Sequence, residues 1–255
     1  MSNRTWRIIG TGLSFSIFGI VGAFLSIALI PIVLITPASE LRQKTGKRLV
    51  KLCFQAFLKI MQFLGVMSLK TEHLERLKSG GRLVLANHPS LIDVVILIAL
   101  VNNPDGVIKT PLLYNPFTLG LLRFAGFIRN EEGPELIVKS IRSVESGNNL
   151  IVFPEGTRTR DVNELTFKRG ASNIAVRGKL NITPVLIFTS EPVLQKGAKW
   201  YKVPQQKPVF TISVCEEIEI AKVVNCDGDL SIESRVLTRY LEDYFRDKLK
   251  SHART

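Results

Sequence analysis

The pattern of apolar and polar positions changes twice along the chain. Residues 8–39 contain no charged side chain, and residues 8–35 are mostly Ile, Leu, Val, Phe, Gly and Ser. As one helix, residues 8–35 would extend ~42 Å at about 1.5 Å per residue, more than the ~30 Å hydrocarbon core of a bilayer. A buried helix of a soluble protein is rarely this long without a polar face, and a cleaved signal peptide has a shorter apolar region. The segment is therefore expected to associate with a membrane. Pro31 and Pro37 leave two topologies open, a simple span or an element bent into one leaflet. Between Leu49 and Leu64 the polar residues are Lys51, Gln55, Lys59 and Gln62. Their spacing puts all four on one narrow stripe of a helix whose other positions are mainly apolar. That describes either a core helix with one wet edge or a helix lying in the membrane interface with its lysines at the headgroups.

After Met67, short apolar runs alternate with amphipathic stretches. Residues 82–86, 106–109, 150–153 and 182–188 read as strands, and residues 209–220 alternate with Phe210, Ile212, Val214, Ile218 and Ile220 on one face. Helices are predicted over 89–101, 116–126 and 134–146. A last helix over 231–249 has Ile232, Val236, Leu237, Tyr240, Leu241, Tyr244, Phe245 and Leu249 as its apolar stripe and Ser231 as its N-cap. Strands alternating with helices predict an α/β fold, a largely parallel central sheet flanked by helices, with an N-terminal hydrophobic membrane-anchoring helical segment. The expected division is membrane-associated helices over 1–66 and an α/β domain over 67–255.

Composition narrows the function classes. With 45% hydrophobic and 22% charged residues over 255 positions, the chain can bury a core and is not disordered. Cys53, Cys215 and Cys226 form no CxxC pair, which argues against a disulfide scaffold or structural zinc and fits a reducing compartment. Three histidines in all make a metal site unexpected. A net charge of +12 favours anionic partners. Without an aromatic–basic repeat or a helix-turn-helix pattern, that charge does not predict nucleic-acid binding. Arg42, Lys44, Lys47, Arg48 and Lys51 follow the apolar segment and only Arg4 and Arg7 precede it, so the α/β part is expected on the cytoplasmic side.

Two constellations carry candidate chemistry. Asn87-His88-Pro89-Ser90-Leu91-Ile92-Asp93 lies at a strand end, where active sites of α/β folds collect. On one continuous helix His88 and Asp93 would point about 140° apart and could not pair. They meet if His88 precedes the helix and Asp93 lies in its first turn, with Pro89 at the first helical position. An Asp holding one imidazole nitrogen leaves the other as a general base. The competing reading is an Asp that merely complements the helix dipole, beside an unrelated loop His. Ser90 is not in a GxSxG elbow and is not read as a nucleophile. The second constellation is Phe153-Pro154-Glu155-Gly156-Thr157-Arg158-Thr159-Arg160, followed by Phe167-Lys168-Arg169-Gly170-Ala171. Gly permits close backbone approach and Arg offers forked donors to phosphate oxygens.

In this order and spacing, the two blocks resemble the glycerophospholipid acyltransferase family, and within it the 1-acylglycerol-3-phosphate acyltransferases. Asn87, His88 and Asp93 match its Asn-His-x4-Asp motif. Residues 153–160 match its Phe-Pro-Glu-Gly-Thr-Arg-Ser-Arg motif except for Thr159 in place of Ser. Phe167, Lys168, Gly170 and Ala171 match Phe-Lys-x-Gly-Ala, and Ile182-Thr183-Pro184-Val185 matches a fourth motif more weakly. The second motif is recognisable in Lys109, Leu113, Pro116, Gly120, Gly126 and Ile128, but Arg129-Asn130-Glu131-Glu132 departs from the family's Asp-Arg pair. The resemblance covers roughly residues 69–188. It implies a membrane-bound enzyme that moves a fatty acyl group from an acyl thioester, acyl-CoA or acyl carrier protein, to a lysophospholipid hydroxyl, with 1-acylglycerol-3-phosphate as the leading acceptor. His88 would be the base and Asp93 its orienting partner. Lys109, Glu155, Gly156, Thr157, Arg158, Arg160 and Lys168 would bind substrate. No cofactor is implied beyond the thioester co-substrate, and the implied location is a membrane, as in a bacterial inner membrane. A different lysolipid acceptor, and a catalytically silent lipid-binding protein on the same fold, are the alternatives.

Overall fold

The computed structural model describes residues 4–252, apart from 116, 131, 132 and 160. Two long helices come first, α1 (Arg4–Ile35) and α2 (Glu40–Phe63). α1 runs through Pro31, and the chain turns only around Pro37. Ser39 caps α2 by accepting the Arg42 amide at 3.2 Å, with Glu40 in the first turn.

Seven strands then form one sheet: β1 (Ser68–Glu72), β2 (Leu83–Ala86), β3 (Pro104–Ile108), β4 (Ile128–Arg129), β5 (Asn149–Val152), β6 (Ile182–Thr189) and β7 (Val209–Val214). Their spatial order is β1-β7-β6-β2-β5-β3-β4. From β6 to β4 every pairing is parallel, while β7 is antiparallel to β6 and β1 runs parallel to β7. The expected α/β fold, with its mostly parallel sheet and N-terminal apolar helix, is the observed one. β1 and β4 escape the hydrophobic pattern. β1 is a largely exposed edge strand of sequence Ser-Leu-Lys-Thr-Glu, and β4 is only two residues long.

The remaining helices are α3 (Asp93–Leu100), α4 (Leu119–Ala125), α5 (Pro134–Glu145), α6 (Gly170–Gly178) and α7 (Leu230–His252). They cover both faces of the sheet. β2 has no exposed residue: Val84 and Ala86 join the core with α2 and α3, while Leu83 and Leu85 join the core with α6 and α7. Burial on both faces explains why it reads as an unbroken apolar run.

Three sequence expectations shift. The helix after His88 starts at Asp93 rather than at Pro89, because the Asp93 carboxylate takes the Ser90 amide at 2.6 Å and keeps the preceding residues in a loop. The helix expected over 116–126 is observed from Leu119, and Pro116 lies outside the described residues. In α7 the cap is Asp229, which accepts the Ser231 and Ile232 amides at 2.8 and 3.1 Å. Of the predicted stripe, Leu237, Leu241, Phe245 and Leu249 are buried, while Ile232, Val236 and Tyr240 are exposed.

The first two helices pack closely onto the α/β layers. Gly120 of α4 admits the Ser26 backbone of α1, and Gly46 of α2 admits the Ala125 backbone of α4; a Cβ at either glycine would collide with that backbone. Lys47 of α2 forms an ion pair of 2.6 Å with Asp105 of β3, with side chains only 9% and 3% exposed. Asp105 also accepts the Ser143 hydroxyl at 2.6 Å and the Gly106 amide at 2.9 Å. The polar stripe of α2 splits. Lys51 bonds Asn102 and Gln55 bonds the Ala99 carbonyl, both in or just after α3, while Lys59 and Gln62 face outward.

Candidate active site

β2 ends at the centre of the sheet, and Asn87 ties that end to its neighbour. Its amide nitrogen donates to the Ile187 carbonyl at 2.9 Å, and its oxygen accepts the Ile187 amide at 2.8 Å. The side chain thus continues the β2–β6 ladder by one step, and His88 follows at the strand's C-terminal edge. The His88 Nδ1 lies 2.9 Å from the Asp93 Oδ2. Asp93 is fully buried at the start of α3 and also accepts the Ser90 amide. Burial pushes its carboxyl above the usual carboxylate range, while the His88 contact and the Ser90 N–H pull partly the other way. An ionised Asp93 requires the proton on Nδ1, so Nε2 presents its lone pair. The Phe153 ring, 4.4 Å from the imidazole between centroids, fixes the ring plane.

The third motif follows β5, the strand beside β2. Glu155 is buried, and its Oε1 accepts the His88 amide at 3.0 Å and the Thr159 hydroxyl at 2.6 Å. The Thr159 amide donates to the His88 carbonyl at 2.8 Å, and the His88 amide also reaches the Thr159 hydroxyl oxygen at 3.1 Å. Glu155 and Thr159 therefore grip the backbone of His88 on both sides. Burial raises the Glu155 carboxyl, offset in part by these two bonds. Gly156 has φ +66, and an added Cβ would lie 2.9 Å from the Lys168 Cε, so the lysine stem crosses directly over it. Arg158 donates through Nη1 to the carbonyls of Leu194 and Gln195 at 2.7 and 2.9 Å. Leu194 itself has φ +48, unusual for a bulky residue, and its carbonyl also accepts the Leu91 amide at 3.2 Å.

The residues expected to bind substrate thus separate. Glu155 faces His88 from inside the fold. Arg158 is anchored to the loop after β6. Thr157 and Lys168 are exposed near the dyad. Lys109 is exposed at the end of β3, two strands from β2 and so roughly 10 Å to the side. Arg160 lies outside the described residues. Thr159, Phe153 and Leu194 were not singled out by sequence reasoning; the hydroxyl retained where the family pattern has Ser was the signal for Thr159. A cavity of about 620 Å³ lies away from this site, lined by Arg76, Tyr240, Tyr244 and Lys248 among others at the far end of β7. The His88 side chain itself keeps 16% of its surface exposed. Among the described residues no three His, Cys, Asp or Glu side chains come together as metal ligands.

Comparison with known proteins bears on this geometry. The family model described as Acyltransferase matches residues 68–188, a segment that contains both constellations. Over this segment the chain is similar to the acyltransferase family. Among its relatives is the 1-acyl-sn-glycerol-3-phosphate acyltransferase of Saccharomyces cerevisiae, 29% identical over 164 residues, which cover 60% of this chain and 52% of the yeast protein. The enzyme of the same name from Borreliella burgdorferi is 28% identical over 182 residues, 68% of each chain. The chain spans about half the length of most of the curated relatives it matches. The chain also shares its fold with a crystal structure of the 1-acyl-sn-glycerophosphate acyltransferase PlsC from Thermotoga maritima. That likeness has a TM-score of 0.71 at 21% identity and covers 98% of both chains, so it includes the N-terminal helices as well as the sheet.

Proposed function

We propose that the protein transfers a fatty acyl group from an acyl thioester, acyl-CoA or acyl carrier protein, to the free hydroxyl of 1-acylglycerol-3-phosphate, giving phosphatidate. The observation that carries this reading is the His88–Asp93 pair at 2.9 Å, at the C-terminal edge of the central strand. His88 Nε2 takes the proton of the acceptor hydroxyl as its oxygen attacks the thioester carbonyl. Asp93 holds Nδ1–H and stabilises the imidazolium that forms. When the tetrahedral intermediate collapses, the C–S bond breaks and the thiolate leaves with the proton from His88. No acyl-enzyme is needed. Arg158, already oriented through Nη1, and Lys168 offer their remaining N–H groups to the acceptor phosphate.

The same reading places the protein on a membrane. α1 is turned inside out for a soluble helix. Its buried positions include Arg7, Gly10, Thr11, Ser14 and Ser26, while Ile20, Phe24, Ile27, Leu34 and Ile35 are 70–80% exposed. Large apolar side chains facing outward are matched by lipid rather than water. Because α1 touches the α/β domain both near its start and at Ser26, lying within one leaflet suits it better than crossing away from the domain. The α/β domain then faces the cytoplasm, although buried Lys47 no longer counts among the basic residues that favour this side.

Acyl transfer by the detergent-solubilised enzyme, from acyl-CoA and from acyl carrier protein to a panel of lysolipids, tests the reading. Activity on lysophosphatidate that falls by about 10³-fold or more in His88→Ala is expected. Activity on another lysolipid alone would keep the mechanism and change the acceptor. A folded wild type that acylates nothing, or a fully active His88→Ala, would sink it.

A further inference from the structure

Between β6 and β7 runs a long connection, residues 190–208, which the proposed catalytic role uses only at Leu194 and Gln195. Its far part has an unusual surface. Trp200 and Tyr201 stand side by side, edge to face at 5.7 Å, and both remain more than 40% exposed. Lys196, Lys199, Lys202 and Lys207 flank them along the chain, and no acidic residue occurs between Glu191 and Glu216. Among the described residues none of these lysines forms a salt bridge. Lys199 instead lies 5.6 Å from the Tyr201 ring centroid.

This surface is laid against the apolar helix. Arg7 donates to the carbonyls of Pro204 and Gln205 at 3.1 and 2.6 Å, and Arg4 to that of Val203 at 3.3 Å. The Trp200 ring seats on Gly12, where a Cβ would lie 3.2 Å from it. One edge of the indole is therefore held by α1, while 49% of the Trp200 surface stays exposed.

We infer that the Lys196–Lys202 part of this connection is a second bilayer contact, seating Trp200 and Tyr201 at the headgroup level of an anionic phospholipid surface. Amphipathic aromatic rings collect at that depth, and unpaired lysines beside them complement anionic lipid. The inference rests on the membrane reading of α1 and adds a lipid-facing element outside the N-terminal helices. The same connection holds Arg158 through the Leu194 and Gln195 carbonyls, so lipid contact and the candidate active site share one segment.

The chain has two tryptophans, which makes the test direct. Full-length Trp6→Phe protein, with Trp200 as its one indole, is placed in nanodiscs of phosphatidylcholine and phosphatidylglycerol, with and without bromine on the acyl chains near the headgroup. Loss of most Trp200 emission in brominated lipid, together with protection from aqueous iodide, is expected. Changing Lys196, Lys199 and Lys202 to Gln should reduce this quenching in phosphatidylglycerol discs. Should Trp6→Phe fold poorly through loss of the bond from Trp6 to the Leu64 carbonyl, the difference between wild type and Trp200→Phe reads the same signal. Emission indifferent to bromine and freely quenched by iodide would overturn the inference. The measurement needs no turnover, so its failure with acyl transfer intact leaves the catalytic reading standing, and the reverse outcome separates them equally.

Discussion

At the scale of residues, the candidate site is a histidine held from three directions. Asp93 holds its ring, and Glu155 and Thr159 hold its backbone. Asp93→Asn is expected to lower kcat by about 10²–10⁴-fold, because a neutral amide no longer selects the Nδ1–H tautomer or stabilises the imidazolium. Its effect on stability has the opposite sign. A carboxyl whose pKa is raised by folding contributes stability below its unfolded value of about 3.9 and loses it as pH rises through the folded value. Wild-type denaturation midpoints should therefore fall as pH rises through the folded Asp93 pKa, and Asp93→Asn should flatten that part of the curve. A variant less stable than wild type at pH 7 would contradict this account. Thr159→Val should lower kcat by about 10-fold or more with little change in KM, and Thr159→Ser should restore it, since the hydroxyl is the part of the side chain that bonds Glu155 and the His88 amide. Equal loss in Val and Ser variants would make Thr159 a packing residue.

At the scale of elements, α2 belongs energetically to the sheet. Removing one member of the buried Lys47–Asp105 pair leaves the other charge without its counterion, so Lys47→Met should destabilise the fold by about 3–5 kcal/mol in chemical denaturation. Lys47→Met combined with Asp105→Asn should recover most of that loss, because the Asn oxygen still accepts the Gly106 amide and its NH2 can donate to the Ser143 hydroxyl oxygen. A single variant as stable as wild type would show that the pair does not hold α2 in place. The stripe Lys51, Gln55, Lys59 and Gln62 was legible in the sequence, but which side it faced was not. Its first half meets the C-terminal end of α3, whose carbonyls and neighbouring Asn102 need partners, and Leu52 and Phe63 are left exposed. In α7 the period was clear and its breadth was not. A stripe of eight apolar positions is wider than the contact that α6 and the sheet offer, so only its central rows are covered.

At the scale of the whole molecule, the outward-facing apolar side chains of α1 and the exposed aromatics of the β6–β7 connection suit a protein that works against a lipid surface. Ile20→Lys with Phe24→Lys places two charges on the outward-facing side of α1, at positions 70% and 71% exposed. The pair should release the protein from membranes in a sedimentation assay while leaving activity on detergent-dispersed substrate within about threefold. Retention on membranes equal to wild type would place that face elsewhere.

Neighbours along the chain suffice to set the apolar length of α1, the alternation that makes an α/β fold, and the motif blocks that follow β2 and β5. These are local properties, since periodicity and turn chemistry act over a few residues. Which motif residues meet depends instead on how distant strands pair. Placing β2 between β5 and β6 brings Glu155 and Thr159 to the backbone of His88 and the β6–β7 connection to Arg158, while β3 leaves Lys109 two strands away. Strand order comes from the pairing of segments far apart in sequence. The identity of a residue can therefore announce its chemistry, and the sheet settles whether it faces the substrate or its own neighbours.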